Sequence, residues 1–90
     1  SEPREQLNLA LNSSWLAEVK IGNFVNIEQI YAPRTIIRQL KSLKFKPEQK
    51  VQLVSKSASG SVVVNINNSL IGMGAEIARR VVVTFVDEEK

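Results

Sequence analysis

Cysteine and histidine are both missing from this chain of 90 residues. The first absence excludes disulfides and thiolate metal sites. The second removes the commonest transition-metal ligand together with the usual general base. Carboxylates are then the only charged ligands left, and a carboxylate and water site would hold Fe²⁺ weakly. No carboxylate lies in an apolar stretch that would raise its pKa, so no constellation for acid–base or nucleophilic chemistry can be written, and the chain reads as a non-enzyme. No catalytic, metal or cofactor residue is assigned. Long hydrophobic runs are lacking too. The longest uncharged stretch, residues 57–75, is interrupted by Ser, Asn and Gly and holds too few apolar residues to cross a bilayer. No basic segment followed by an apolar core opens the sequence as given, so a cytosolic setting is expected. Glycine is scarce, with four in all. Gly72-Met73-Gly74 is too short for a phosphate-cradling loop, which would need further glycines and a Gly-Lys-Ser/Thr ending, whereas the next lysine is Lys90. It reads instead as the corner of a small barrel.

What is present suits one folded domain. A hydrophobic content of 43% over this length allows a single core and little more. The formal charge of +3 is small, but its distribution is uneven: residues 34–50 carry Arg34, Arg38, Lys41, Lys44, Lys46 and Lys50 against Glu48 alone, while Glu2, Glu5, Asp87, Glu88 and Glu89 lie toward the ends. A basic stretch of this kind suits an acidic protein surface, anionic lipid or nucleic acid, or simply a solvated helix face.

Along the chain, Leu7, Leu9 and Leu11 alternate with polar or small residues, which suggests an added strand over 7–11, while Leu7, Ala10 and Leu11 equally mark one side of a short helix. Ser13 or Ser14 is placed to cap a helical turn over 16–19, with Trp15 packing over it. Gly22-Asn23 breaks the chain. The alternation from Phe24 to Ile30 then predicts a strand that buries Val25 and Ile27. From Pro33 the period changes. Ile36, Ile37, Leu40 and Leu43 recur as a core-facing stripe of a helix over about 33–44, with Arg34, Arg38 and Lys41 on the opposite side and Pro47 stopping it. The remainder reads as short antiparallel strands: about 51–56, then 62–67 after a turn at Ser59-Gly60, then 70–73 after a turn at Asn67-Asn68. A helical turn over 75–80 leads into a final strand over 81–86 that is apolar on both faces. Arg79 and Arg80 fall at that junction, solvated or paired with Glu76. The pattern is mainly β: a small, partly open barrel with one inserted α-helix and a short helical turn before the last strand.

These residues resemble the ferrous-iron transport protein A (FeoA) family. Leu16-Ala-Glu-Val-Lys-Ile-Gly22 resembles its opening stretch of leucine, acid, apolar and glycine, and Val25-Asn-Ile27 the strand that follows. Leu40-Lys-Ser-Leu43-Lys-Phe45-Lys-Pro47 resembles its signature of leucine, two residues, leucine, glycine, apolar, any, proline, glycine. Ser59-Gly60-Ser-Val-Val-Val64 and Glu76-Ile-Ala78-Arg-Arg-Val81-Val-Val83 resemble the closing segments. Two signature glycines are replaced, by Lys44 and Glu48. A left-handed backbone at either place would cost Lys or Glu roughly 1 kcal/mol or more, so either the turn is remodelled or the register is shifted by a residue. The resemblance implies an SH3-like barrel over 16–90, with 1–15 as an N-terminal extension. It also implies a non-enzymatic accessory role in bacterial ferrous-iron uptake. The implied partner is the cytosolic G-protein-like domain of a membrane iron transporter, with membrane contact only through that partner, no nucleic acid, and self-association left open. Candidate protein contacts are Arg38, Lys41, Lys44, Phe45 and Lys46, with Tyr31 and Phe45 as the aromatics expected at the surface and Trp15 and Phe24 expected in the core. The alternative is a regulatory module related to the C-terminal domain of metal-dependent repressors, which share the barrel.

Overall fold

The structure, a computed structural model, describes residues 12–86. The expected strand over 7–11 lies outside the described residues. Six strands form one antiparallel sheet in the order β1-β6-β2-β3-β4-β5: β1 (Ser13–Trp15), β2 (Phe24–Ile30), β3 (Lys50–Lys56), β4 (Val62–Ile66), β5 (Ser69–Met73) and β6 (Val81–Phe85). A 3₁₀ turn, Leu16–Glu18, follows β1; helix α1 (Arg34–Ser42) joins β2 to β3; and α2 (Ala75–Ala78) joins β5 to β6. The mainly β, partly open barrel expected from the pattern, SH3-like as the family resemblance implied, is the observed architecture.

Curvature comes from two irregularities in register. Between Ile27 and Gln29 the pairing of β2 with β6 slips, and between Leu53 and Ser55 the pairing of β3 with β4 slips. An extra residue on one strand bends it and increases the local twist, which is how a narrow sheet curls over its own core. Residues of period two then face inward. Val25 and Ile27 are buried as expected, with Leu53, Val64, Val81 and Val83 beside them. Val54 is the residue skipped by the register and emerges at the surface.

Two expectations are corrected, the serine cap and the inward place of Leu43. Ser13 and Ser14 do not cap a helix: they lie in β1, paired with Thr84 and Val83 of β6, and the 3₁₀ turn has no side-chain cap. The two-residue alternation of inward and outward side chains is too short there to register as a strand in the sequence. The sheet therefore starts before residue 16. Helix α1 spans 34–42, with Pro33 at ψ 152° just outside it and its carbonyl accepting the Ile37 amide at 3.0 Å. Leu43 does not join the core stripe. It is 47% exposed, because the helix ends at Ser42 and the chain turns away before a further turn could bring Leu43 inward.

The last strand needs cover on both faces, and it has it. Val81 and Val83 face the core, while Val82 pairs with Trp15 on one side and Gln29 on the other. Trp15 is buried at this outer position, its ring 6.3 Å from that of Tyr31 at an interplanar angle of 59°, a tilted arrangement favoured by the ring quadrupoles. The Ser59-Gly60 turn occurs where expected, with Gly60 at φ 100°. A Cβ at Gly60 would lie 3.0 Å from that of Ala75, so the hairpin packs directly on the start of α2. Asn67 and Asn68 both take positive φ in the β4–β5 turn, as the sequence implied. Gly74 sits at the entry to α2, which confirms Gly72-Met73-Gly74 as a strand-to-helix corner.

Phe45 is the largest side chain that is completely buried. Phe45→Ala should therefore lower stability by about 3–5 kcal/mol through lost transfer energy and a residual cavity. Urea unfolding followed by tryptophan fluorescence measures this as a reduced midpoint at constant slope, and a loss below about 1 kcal/mol would contradict the packing described.

Candidate protein-docking surface

The surface of interest begins at the end of α1. Its last turns bury Leu40 and half-bury Ile36 and Ile37, which leaves Arg34, Arg38 and Lys41 on the open side. Beyond the helix the backbone closes in a Schellman motif. The Phe45 amide donates to the Leu40 carbonyl at 2.9 Å and the Lys44 amide to the Lys41 carbonyl at 2.9 Å. This geometry demands a left-handed residue between the helix and Phe45, and Lys44 supplies it with φ 72°. The accompanying apolar contact of the motif is provided by Leu40 and Phe45, both members of the buried cluster.

A second tight turn follows at once. Lys46-Pro47-Glu48-Gln49 is closed by the Gln49 amide donating to the Lys46 carbonyl at 3.1 Å, with Glu48 at φ 75°. Proline at the second position and positive φ at the third define a type II turn, whose third position ordinarily falls to glycine. The Glu48 amide also donates to the Ile27 carbonyl at 2.7 Å, and Ile27 donates to the Gln49 carbonyl at 2.9 Å, so the turn is fastened to β2. Two non-glycine residues are thus held left-handed within five positions, each fixed by hydrogen bonds on both sides.

The sequence-predicted contacts divide clearly. Arg38, Lys41, Lys44 and Lys46 are all exposed, and with Arg34 they make no ion pair or side-chain hydrogen bond among the described residues. Phe45 is corrected: it is 0% exposed, so it cannot touch a partner and acts as the anchor that positions its charged neighbours. Its place one residue after the left-handed position turns it inward, which single-residue hydrophobicity does not reveal. Tyr31 is at the surface as expected, 43% exposed. Phe24 is corrected in the other direction, being 38% exposed with the Lys50 ammonium 5.1 Å from its ring centroid, a cation–π contact.

Phe24 opens a row that sequence reading missed. Phe24 pairs with Gln52, Gln52 with Asn65 and Asn65 with Leu70, so these four share the outer face across β2 to β5. Leu70, at 65%, is the most exposed large apolar side chain among the described residues. The alternation of each strand indicated an outward face, but only register aligns the four. Arg79 pairs with Glu76 at 2.9 Å on the exposed end of α2, as one of the two readings had it. Among the described residues no three acidic side chains gather where they could hold a metal ion, and no helix is long and apolar enough to cross a membrane.

Comparison with known proteins decides the family. The model of the FeoA domain matches residues 15–84. The chain belongs to the FeoA family. Among solved structures, it superposes on an iron uptake regulatory protein (FeoA) with a TM-score of 0.75 at 19% identity, covering 82% of this chain and 99% of that one. The FeoA protein of Chlorobium tepidum gives 0.77 at 22% identity, covering 86% and 74%. A manganese-dependent transcriptional repressor gives 0.76 at 15% identity, but there the match spans 87% of this chain and 44% of the repressor. At these identities the structural likeness speaks for the fold alone. No curated protein sequence matches the chain.

Placed on the structure, the FeoA signature acquires a physical meaning, and the question left by its two missing glycines is answered. The turn is not remodelled and the register is not shifted. Lys44 and Glu48 stand in the left-handed conformation that glycine would occupy without steric cost. Lys44→Gly and Glu48→Gly should each therefore stabilise the fold, by about 1 kcal/mol, which for a domain of this size raises the melting temperature by about 4–8 °C. Differential scanning calorimetry of the two variants measures it, and a lowered melting temperature in both would refute the assignment.

Proposed function

We propose that this chain is a non-enzymatic accessory protein of bacterial ferrous-iron uptake, working in the cytosol and docking on the G-protein-like domain of the iron transporter through Arg38, Lys41, Lys44 and Lys46. The observation that carries the reading is the run of exposed cations from α1 into the two tight turns, none of them paired among the described residues, set on a FeoA barrel. Cations without an internal partner lose little on meeting an acidic surface, because no existing pair has to be broken, and their field speeds encounter. The residue types argue for binding over chemistry, since the sequence has neither histidine nor cysteine. The superposition on a protein described as an iron uptake regulatory protein agrees with an accessory role.

The fold likeness to a metal-dependent repressor favours a second reading, a regulatory module of the kind found at the C-terminus of such repressors. Contact of its basic helix with phosphates would then show as DNA binding that falls steeply with salt, the slope counting the phosphates neutralised.

The double reversal Arg38→Glu/Lys46→Glu tests the docking reading. Both positions are exposed and make no ion pair among the described residues, so the fold is expected to stay intact. Binding to the purified cytosolic domain of the transporter should weaken about tenfold, equivalent to about 1.4 kcal/mol. Isothermal titration at low and moderate salt gives the comparison. Undiminished binding by the double variant would remove this surface from the interface.

A further inference from the structure

We propose that Lys44 and Glu48 are partner-reading residues, and that the partner presents a protein surface of mixed charge, acidic opposite Lys44 and basic opposite Glu48. This rests on the docking reading above and states what that surface recognises. Both residues stand at positive φ, 72° and 75°, in turns whose geometry glycine meets without a Cβ penalty. Backbone strain of this kind persists where the surroundings over-determine it, and it concentrates at functional sites. Here the surroundings are explicit: the Schellman bonds and the buried Phe45 ring fix Lys44, and the Lys46–Gln49 turn and the Ile27 carbonyl fix Glu48.

What the side chains do in return is not visible inside the molecule. Lys44 and Glu48 are both exposed, and neither makes an ion pair or side-chain hydrogen bond among the described residues. Lys44 gains a little from the negative end of the α1 dipole. Glu48 has no comparable role. It follows Pro47 in a turn that needs only backbone bonds, and its carboxylate is the one acid within a stretch of six cations.

That single acid selects among the partners a basic patch could meet. A nucleic acid duplex or an anionic bilayer is uniformly negative, and against either of them Glu48 is both strained and repelled, so glycine would serve better on each count. A folded protein can place a cation against Glu48 and carboxylates against Lys44 and its neighbours, and such alternation fixes register and excludes wrong partners. Lys50 opens β3, the strand that starts at this turn, and its ammonium lies over the Phe24 ring of the neighbouring β2, which sets an aromatic beside the charges.

The test uses the 90-residue chain as wild type, Lys44→Gly, Lys44→Gln, Glu48→Gly and Glu48→Gln. Each is titrated against the purified cytosolic domain of the ferrous-iron transporter of the same organism, against vesicles of phosphatidylglycerol and phosphatidylcholine, and against a random DNA duplex. The glycine variants should melt above wild type and the glutamine variants close to it, while all four bind the transporter domain at least fivefold more weakly. Stability and affinity then move in opposite directions in the glycine variants, which a purely structural role for either side chain cannot produce. Binding within twofold of wild type by all four variants overturns this inference and leaves the docking reading standing. Tighter vesicle or duplex binding by both Glu48 variants, with unchanged binding to the transporter domain, overturns it in favour of a polyanion. Failure of the wild type to bind the transporter domain removes the docking reading, and this inference falls with it.

Discussion

The burial of Phe45 is the constraint on which the rest of this surface depends. Its ring is sealed in the core and its amide is tied to the Leu40 carbonyl, so the end of α1, the chain reversal after it and the approach to β3 are fixed together. Truncating a buried phenylalanine costs about 3–5 kcal/mol. That is more than the combined strain of two left-handed residues at about 1 kcal/mol each. The balance explains how Lys44 and Glu48 can occupy positions better suited to glycine without unravelling the turn: the anchor between them outweighs the distortion on either side.

The same arrangement divides labour along the polypeptide. Within residues 40–49, apolar side chains that reach the core set geometry, and charged ones that cannot reach it are held outward on short, well-bonded segments. A docking element benefits from this, since charges presented from rigid backbone lose less conformational entropy on binding than charges on a mobile loop. The two register slips in the sheet serve a related end. They curl the strands tightly enough for one layer to enclose its core, so that the helix and its turns can lie against the barrel and leave their polar side free.

Much of this was legible in the residues. Strand and helix positions followed from periods of two and of three to four, because burial on one face writes itself into spacing. The hairpin at Ser59-Gly60 and the turn at Asn67-Asn68 followed from residues that tolerate positive φ. Errors came where a segment was too short for a period or where a side chain's direction depended on a distant element. Three residues of β1 looked like a helix cap, Leu43 looked like the next core position, and Phe45 and Phe24 exchanged their expected places. The row from Phe24 to Leu70 joins four strands, and no local pattern encodes which residues of separate strands meet.

By itself, then, the sequence determined the class of the fold, the family signature, the location of the positive charge and the absence of histidine and cysteine. Those properties belong to composition and local period, and they survive any small error in geometry. Tertiary structure alone decided which aromatic is anchor and which is surface, and that Lys44 and Glu48 are forced left-handed. Both depend on long-range hydrogen bonds and packing, the Ile27 carbonyl reaching Glu48 and the core receiving Phe45, which overrule what each residue would prefer in isolation.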